Sequence, residues 1–247
     1  MTDYFDMTGK VVLVTGGSRG LGKEMTLGFA RAGADVVIAS RNIESCQAVA
    51  AEVRELGRCA LVHGCHVGRW HELEALVDAA YREFGRIDVL VNNAGISPVA
   101  SSSLQASEEL IDKILAVNFK GPFRLSALVG SRMVAAGGGN IVNITSTAAI
   151  RPLPAFAPYA GAKAGLNALT RAFALEYGPA VRVNAIMAGP FWTDISAAWR
   201  EELDKRSDSA VQRIGRPHEV VTTALYLASQ HSSYTTGAVI EVSGGIR

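Results

Sequence analysis

The sequence predicts a single α/β domain in which a doubly wound, largely parallel sheet of seven strands carries helices on both faces. Three observations lead there. Seven short runs rich in β-branched residues lack the alternation of a half-exposed strand and read as strands buried on both faces. Segments of helical character separate most consecutive runs, and a strand that returns parallel to its predecessor needs such a crossover. No Pro/Ser-rich linker, charge run or internal repeat divides the 247 residues, so residues 1–247 are read as one domain.

The elements follow in order. VVLVT (11–15), DVVIAS (35–40), ALVHG (60–64) and DVLVN (88–92) are expected as the first four strands. Helices are expected over 21–32, 43–56 and 70–84, the last with Leu73, Leu76, Val77 and Ala80 on one stripe. Helical sequence over 107–136 leads to the strand NIVNIT (140–145), and a helix over 158–177 leads to VRVNAIM (181–187). A last helix near 217–229 precedes AVIEV (238–242). The stretch 188–214, containing Trp192 and Trp199, has weak periodicity and reads either as a flap over a site or as an irregular surface excursion.

Apolar residues make up 49% and charged residues 19%, the balance of a soluble globular protein. Twenty-four basic against 23 acidic residues give a net charge of +1 with no basic stripe, so neither nucleic acid nor membrane is expected as a partner. The start, MTDYFDMTGK, lacks a basic segment followed by an apolar run, and no stretch reaches the roughly 18 unbroken apolar residues of a membrane span. Cys46, Cys59 and Cys65 are an odd number and read as reduced thiols in a cytoplasmic protein. Cys65 and His66 stand side by side, but a metal site needs more ligands converging, so packing is the better reading and no metal is expected.

The first strand runs into Thr15-Gly16-Gly17-Ser18-Arg19-Gly20-Leu21-Gly22, where a helix begins. Glycine allows the tight turn and lets a pyrophosphate approach backbone N–H groups at the helix start, where the dipole favours negative charge. A βαβ setting is what such a dinucleotide motif demands. The second strand ends at Ala39-Ser40-Arg41-Asn42, without the acidic residue that commonly holds ribose hydroxyls in NAD sites. Arg41 and Arg19 are matched instead to a 2′-phosphate, which favours NADP(H), with NAD(H) the alternative; both arginines as plain solvated charges is the competing reading.

Tyr159 and Lys163 lie at i and i+4 on an expected helix, on one face and within reach of each other. An ammonium beside a phenol is expected to lower the tyrosine from about 10 toward a working range for proton transfer. Ser146 ends the fifth strand and can aim its hydroxyl at a substrate oxygen, with Thr145 and Thr147 as competitors. Asn118 sits in a long helical region where asparagine is a poor helix former, which points to a local distortion or a cap.

In their order and spacing these motifs, TGGSRGLG (15–22), NNAG (92–95), Asn118, Ser146, Tyr159-Ala-Gly-Ala-Lys163 and the Asn184 to Thr193 segment, resemble those of the classical short-chain dehydrogenases/reductases across nearly the whole chain. The resemblance implies a Rossmann-type sheet, a nicotinamide cofactor and a catalytic tetrad of Asn118, Ser146, Tyr159 and Lys163, with Asn118 a water-holding link to Lys163. It further implies that Asn92, Asn93, Ala94 and Gly95 back the adenosine side of the cofactor, that Val67 meets adenine through its backbone, and that Thr193 lies near the carboxamide. The cofactor set is then Gly16, Ser18, Arg19, Gly20, Leu21, Gly22, Ser40, Arg41, Asn42, His66, Val67, Asn93, Ala94, Gly95, Tyr159, Lys163, Gly189 and Thr193. Three residues depart from the pattern. His66 stands where an aspartate is usual, Ala188 replaces the proline before Gly189-Pro190, and Ser243 replaces an acidic residue in the C-terminal Asp-Gly-Gly.

The implied activity is interconversion of a ketone or 3-oxoacyl group with a secondary alcohol; sugar, sugar-acid, polyol and steroid-type alcohols compete as substrates. Ile96, Ser97, the Arg151 to Phe156 loop, Phe191, Trp192 and Trp199 suggest a partly apolar pocket, where Arg151 is either a reader of an anion or a solvated charge. A cofactor-binding regulator without turnover is the alternative of a different class. Small residues along 160–174 and the habit of similar proteins imply a homo-oligomer, expected as a homotetramer.

Overall fold

The structure, a computed structural model, describes residues 4–193 and 209–246. Strands β1 (Val11–Thr15), β2 (Asp35–Ser40), β3 (Ala60–Gly64), β4 (Val89–Asn92), β5 (Gly139–Ser146), β6 (Val181–Ala188) and β7 (Val239–Val242) form one sheet in the order β3-β2-β1-β4-β5-β6-β7. Every pairing is parallel, so the expectation of a largely parallel sheet holds in its strongest form. Each expected strand is present, with ends that differ by one residue at most.

Successive strand residues feed opposite faces. Val12, Val14, Val36 and Ile38 pack with Met25, Leu27 and Phe29 of α1 (Gly20–Arg31), Val49 and Val53 of α2 (Ile43–Glu55), and Ala224 and Leu227 of α7 (Val221–Ala228). Val11, Leu13, Val37 and Leu90 pack on the other side. Their partners are Leu73 and Leu76 of α3 (Glu72–Phe84), Leu125 and Val129 of α5 (Gly121–Ala135), and Phe173 of α6 (Ala157–Tyr177). Both faces are therefore dry, which is why the strands show no polar alternation. Each such fully buried side chain contributes about 1.5–3 kcal/mol.

The last helix, expected near 217–229, becomes α-helical only at Val221, after a 3-10 turn over Pro217–Val220; two further helix boundaries differ from expectation for local reasons. Helix α3 starts at Glu72 rather than 70, because the Glu72 carboxylate accepts hydrogen bonds from the His66 backbone N–H (2.8 Å) and Arg69 Nη1 (2.9 Å) and closes a turn ahead of the helix. The stretch 107–136 divides into α4 (Glu108–Leu115) and α5, joined by a π-helical turn over Ala116–Lys120. At its centre Asn118 Nδ2 donates to the Ile114 carbonyl (2.9 Å), the kind of side-chain competition that loosens an α-helical ladder. The distortion expected at Asn118 is present.

Candidate active site

Strand order reverses between β1 and β4, and a cavity of about 660 Å³ opens beyond the C-terminal ends of the strands. This is where open α/β sheets form their ligand crevice. Residues from the glycine turn, the β4 end, the β5 end, α6 and residues 188–193 line one continuous space.

The glycine turn is fixed to β4 by side chains. Asn93 Nδ2 donates to the carbonyls of Thr15 (2.9 Å) and Gly16 (3.2 Å), while the N–H groups of Asn93 (3.0 Å) and Ala94 (3.1 Å) donate to Thr15 Oγ1. Gly16 has φ of +64°, favoured by glycine. At Gly22 a Cβ would stand 2.1 Å from the Gly16 carbonyl oxygen, so only glycine lets the start of α1 close on the turn. Gly16, Gly20, Leu21 and Gly22 all line the cavity.

Beside it lies a recess lined by Ser18, Arg19, Ser40, Arg41, Asn42, Ile43, Glu44 and Ser45. Arg19 and Arg41 thus share a wall at the end of β2, as their sequence positions suggested. Asn42 also acts on its own helix, since its Oδ1 accepts from the Ser45 N–H (2.9 Å) and caps α2. Ser18 is buried, and with Ser40 it hydrogen-bonds the Cys46 thiol, which burial holds above its ordinary pKa.

His66 and buried Val67 line the cavity too. His66 Nδ1 accepts from the Gly68 N–H (3.1 Å), and Cys65 beside it is buried, its thiol pushed up to about 11 by desolvation. Gly189 and Thr193 also line the cavity; Gly189 donates to the Val242 carbonyl (2.9 Å), and Gly20 of the glycine turn lies against the Thr193 side chain. Trp192 donates its N–H to the Gly215 carbonyl (2.9 Å), whereas Trp199 and most of the expected flap lie outside the described residues.

Ser146, Tyr159 and Lys163 line the same cavity, with Asn118 directly behind. Lys163 Nζ is 5.8 Å from the Tyr159 ring centroid and donates to the Ile144 carbonyl (2.8 Å). Lys163 is 3% exposed and has no carboxylate partner among the described residues; desolvation lowers its pKa from 10.5 to about 8. A Cβ on Gly95 would lie 3.0 Å from Asn118 Oδ1 and 3.6 Å from Lys163 Nζ, so these three groups are neighbours. Asn118, fully buried, donates from Nδ2 to the Ile96 carbonyl (2.9 Å) and accepts from the Ile96 N–H (3.2 Å).

One electrostatic expectation changes. Burial raises the Tyr159 pKa, and the opposing influence is its hydrogen bond to Ser146 rather than the Lys163 charge. The hydroxyl of Ser146 also accepts from the Ala148 N–H (3.2 Å), which fixes the end of β5. Two supporting features escaped sequence reasoning. Thr15 is the hydroxyl that joins the glycine turn to β4. Asn92 Nδ2 donates to Asn143 Oδ1 (2.9 Å) and Ser126 Oγ (3.0 Å), and Asn143 Nδ2 donates to Thr170 Oγ1 (2.9 Å), a buried polar chain running from β4 to α6. Asparagines inside otherwise apolar strands were the available signal.

The segment that returns to α7 is tied to the C-terminal end. Ser209 and Ile246 form an antiparallel bridge, the N–H groups of Ala210 (2.9 Å) and Val211 (3.1 Å) donate to the Gly245 and Gly244 carbonyls, and Ser209, Arg213, Ile214 and Ile246 line the cavity. Ser243 accepts from the Gly245 N–H (3.3 Å) and donates to Glu241 Oε1 (2.5 Å), so it still organises this turn without the usual acid.

Fold and cavity together define an α/β protein with a dinucleotide-type cleft and a Ser-Tyr-Lys cluster at its centre. The chain belongs to the short-chain dehydrogenase/reductase family. Residues 16–247 match the family model described as enoyl-(acyl carrier protein) reductase. The chain is 37% identical to the short chain dehydrogenase/reductase astE of Aspergillus oryzae, over 98% of this chain and 96% of that protein. It is 35% identical to the 3-oxoacyl-[acyl-carrier-protein] reductase FabG of Thermotoga maritima, over 97% and 98%. The solved structure of a 7α-hydroxysteroid dehydrogenase complexed with NADH and 7-oxo glycochenodeoxycholic acid superposes with a TM-score of 0.93 at 32% identity, covering 100% of this chain and 98% of that one. The protein is accordingly an oxidoreductase acting on CH–OH and C=O groups of small molecules, in a family that uses NAD(H) or NADP(H). No helix among the described residues is long and apolar enough to cross a membrane.

Proposed function

We propose that this protein is an NADP(H)-preferring oxidoreductase that interconverts a ketone or 3-oxoacyl group and a secondary alcohol, with Asn118, Ser146, Tyr159 and Lys163 as its catalytic set. The observation that carries the reading is the convergence of Ser146, Tyr159 and Lys163 on the cavity that also holds the glycine turn. The cleft fits a dinucleotide: Gly16, Gly20 and Gly22, which have no side chains, line it where α1 starts, and two guanidiniums line the recess at the end of β2. Gly16, Ser18, Arg19, Gly20, Leu21, Gly22, Ser40, Arg41 and Asn42 would hold the phosphate and ribose side. His66, Val67, Asn93, Ala94 and Gly95 would flank adenosine, and Tyr159, Lys163, Gly189 and Thr193 the nicotinamide side.

The bound nicotinamide supplies or accepts the hydride. Ser146 positions the substrate oxygen by hydrogen bonding, and Tyr159 Oη gives that oxygen its proton in reduction or removes it in oxidation. Lys163, held at about 8, gains and loses a proton close to neutrality and so refills Tyr159. Asn118 keeps one Oδ1 lone pair beyond its bond from Ile96, enough to hold a water next to Lys163.

The whole chain is read as one dinucleotide-binding domain with 188–214 as a substrate flap, working as a cytoplasmic homotetramer. A steroid-type alcohol is the second substrate reading, favoured by the apolar lining from Ile96, Leu153, Phe156 and Phe191. The test is consumption of NADPH and NADH against a panel of ketones, 3-oxoacyl thioesters and alcohols, with cofactor binding measured in parallel. Turnover, faster with NADPH, is expected; tight cofactor binding with no turnover on any member would assign the protein to regulation instead.

A further inference from the structure

The cavity has a one-sided charge. Six of its lining side chains are cationic, and among the described residues that line it none is Asp or Glu. Arg19 and Arg41 belong to the recess at the end of β2, and Lys163 to the Tyr159 cluster. That leaves Lys113 from α4, Arg151 from the β5–α6 connection and Arg213 from the segment before α7, three cations from separate parts of the chain.

These three differ in how far their donors are already used. Arg213 is the most engaged of the three: Nη1 (2.8 Å) and Nη2 (2.5 Å) clamp both oxygens of Glu219, and Nη1 also reaches the Ile214 carbonyl. The Arg151 side chain makes one hydrogen bond among the described residues, from Nη1 to Glu241 Oε1 at 3.2 Å, and Glu241 is itself held by Ser243. A guanidinium anchored at one nitrogen keeps the rest of its fork for a second acceptor, in a fixed orientation. Lys113 is exposed, with no carboxylate partner among the described residues. Ser97 belongs to the same lining, although its Oγ is shielded from solvent and has no hydrogen-bond partner among the described residues.

We infer that the substrate carries an oxyanion group, a carboxylate or a phosphate ester, on an otherwise apolar body, and that Arg151 and Lys113 select it while Glu241 positions Arg151. The inference rests on the proposed carbonyl–alcohol chemistry of the cavity. It adds a charge to the substrate where that reading left the class open. Both cations are partly solvated, so each is worth the modest amount of an exposed ion pair, and the two together favour an anion by roughly fivefold or more.

The experiment compares matched substrates with the NADPH-loaded protein: 5-oxohexanoate against its methyl ester, and a phosphate monoester of a hydroxyketone against the free hydroxyketone. In parallel, binding of hexanoate, hexyl phosphate and hexanamide is followed by calorimetry. The anionic member of each set is expected to be preferred in kcat/KM and in affinity, with KM carrying the difference. Whichever of carboxylate and phosphate gains more identifies the source of the anion. The preference is expected to shrink as salt rises and to fall toward one in the double variant Arg151→Gln, Lys113→Gln. Equal handling of neutral and charged members by the unmodified protein, or a preference that survives the double variant, overturns the inference. Turnover of the esters alone would leave the oxidoreductase reading standing while this one falls. If no compound turns over, the chemistry is wrong, and the binding series still decides the anion.

Discussion

Asn118 and Ile96 are clasped by reciprocal hydrogen bonds, Nδ2 to the Ile96 carbonyl at 2.9 Å and the Ile96 N–H to Oδ1 at 3.2 Å. One side chain therefore supplies both partners of a backbone unit that follows the NNAG segment. Asn118→Leu keeps the volume and leaves both groups unpaired, which is expected to destabilise the fold by about 2 kcal/mol and to lower turnover. A urea midpoint that does not move would show that the clasp is dispensable.

Lys163 gives a signed pH prediction. Its folded pKa of about 8 lies below the ordinary 10.5, so between those values the unfolded chain binds more protons than the folded one, and stability rises with pH across that window. Below pH 8 the full burden of a buried ammonium is present. Lys163→Met removes it: the variant is expected to be inactive yet more stable at pH 7 by about 2 kcal/mol, after allowing for the lost bond to Ile144. Thermal melts at pH 7 and pH 10 check this, because the rise seen in the parent should flatten in the variant.

Tyr159→Phe removes the hydroxyl bonded to Ser146 and little else. Turnover is expected to drop by roughly 10²–10⁴, the usual weight of a positioned acid–base group, with NADPH affinity retained. Activity near the parent level with cofactor bound would remove Tyr159 from the proposed proton path.

Gly22→Ala places a methyl group 2.1 Å from the Gly16 carbonyl oxygen and 2.4 Å from Asn93 Nδ2. Neither neighbour is free to retreat, since Asn93 Nδ2 is bonded to the Thr15 and Gly16 carbonyls. A loss of about 1–3 kcal/mol in stability is expected together with weaker NADPH binding, read from melts with and without cofactor.

Arg41→Asp replaces a donor fork by a carboxylate in the recess shared with Arg19. The ratio of kcat/KM for NADPH over NADH should fall by roughly tenfold or more. An unchanged ratio would show that Arg41 has no part in cofactor choice.

Much of the fold could be read from residues alone because its strands are dry on both faces. Val12 and Val14 serve one layer, Val11 and Leu13 the other, and a run with no polar member has few alternatives to a central strand. Asn118 announced its distortion through poor helix propensity and now sits at the centre of the π-helical turn. What escaped depends on residues far apart in sequence. The Thr15 bonds to Asn93 and Ala94, and the Asn92–Asn143–Thr170 chain, exist only once β1, β4, β5 and α6 are assembled. The raised pKa of Tyr159 is of the same kind: adjacency to Lys163 along a helix is visible in sequence, but the desolvation that raises the phenol is not.

The bridge between Ser209 and Ile246 makes the tail of the chain part of the reaction chamber's wall. Residue 246 is therefore a listening post: in a Cys59→Ser background, a small fluorophore attached through an Ile246→Cys substitution would stand in the cavity wall, and its emission should change when the cavity fills.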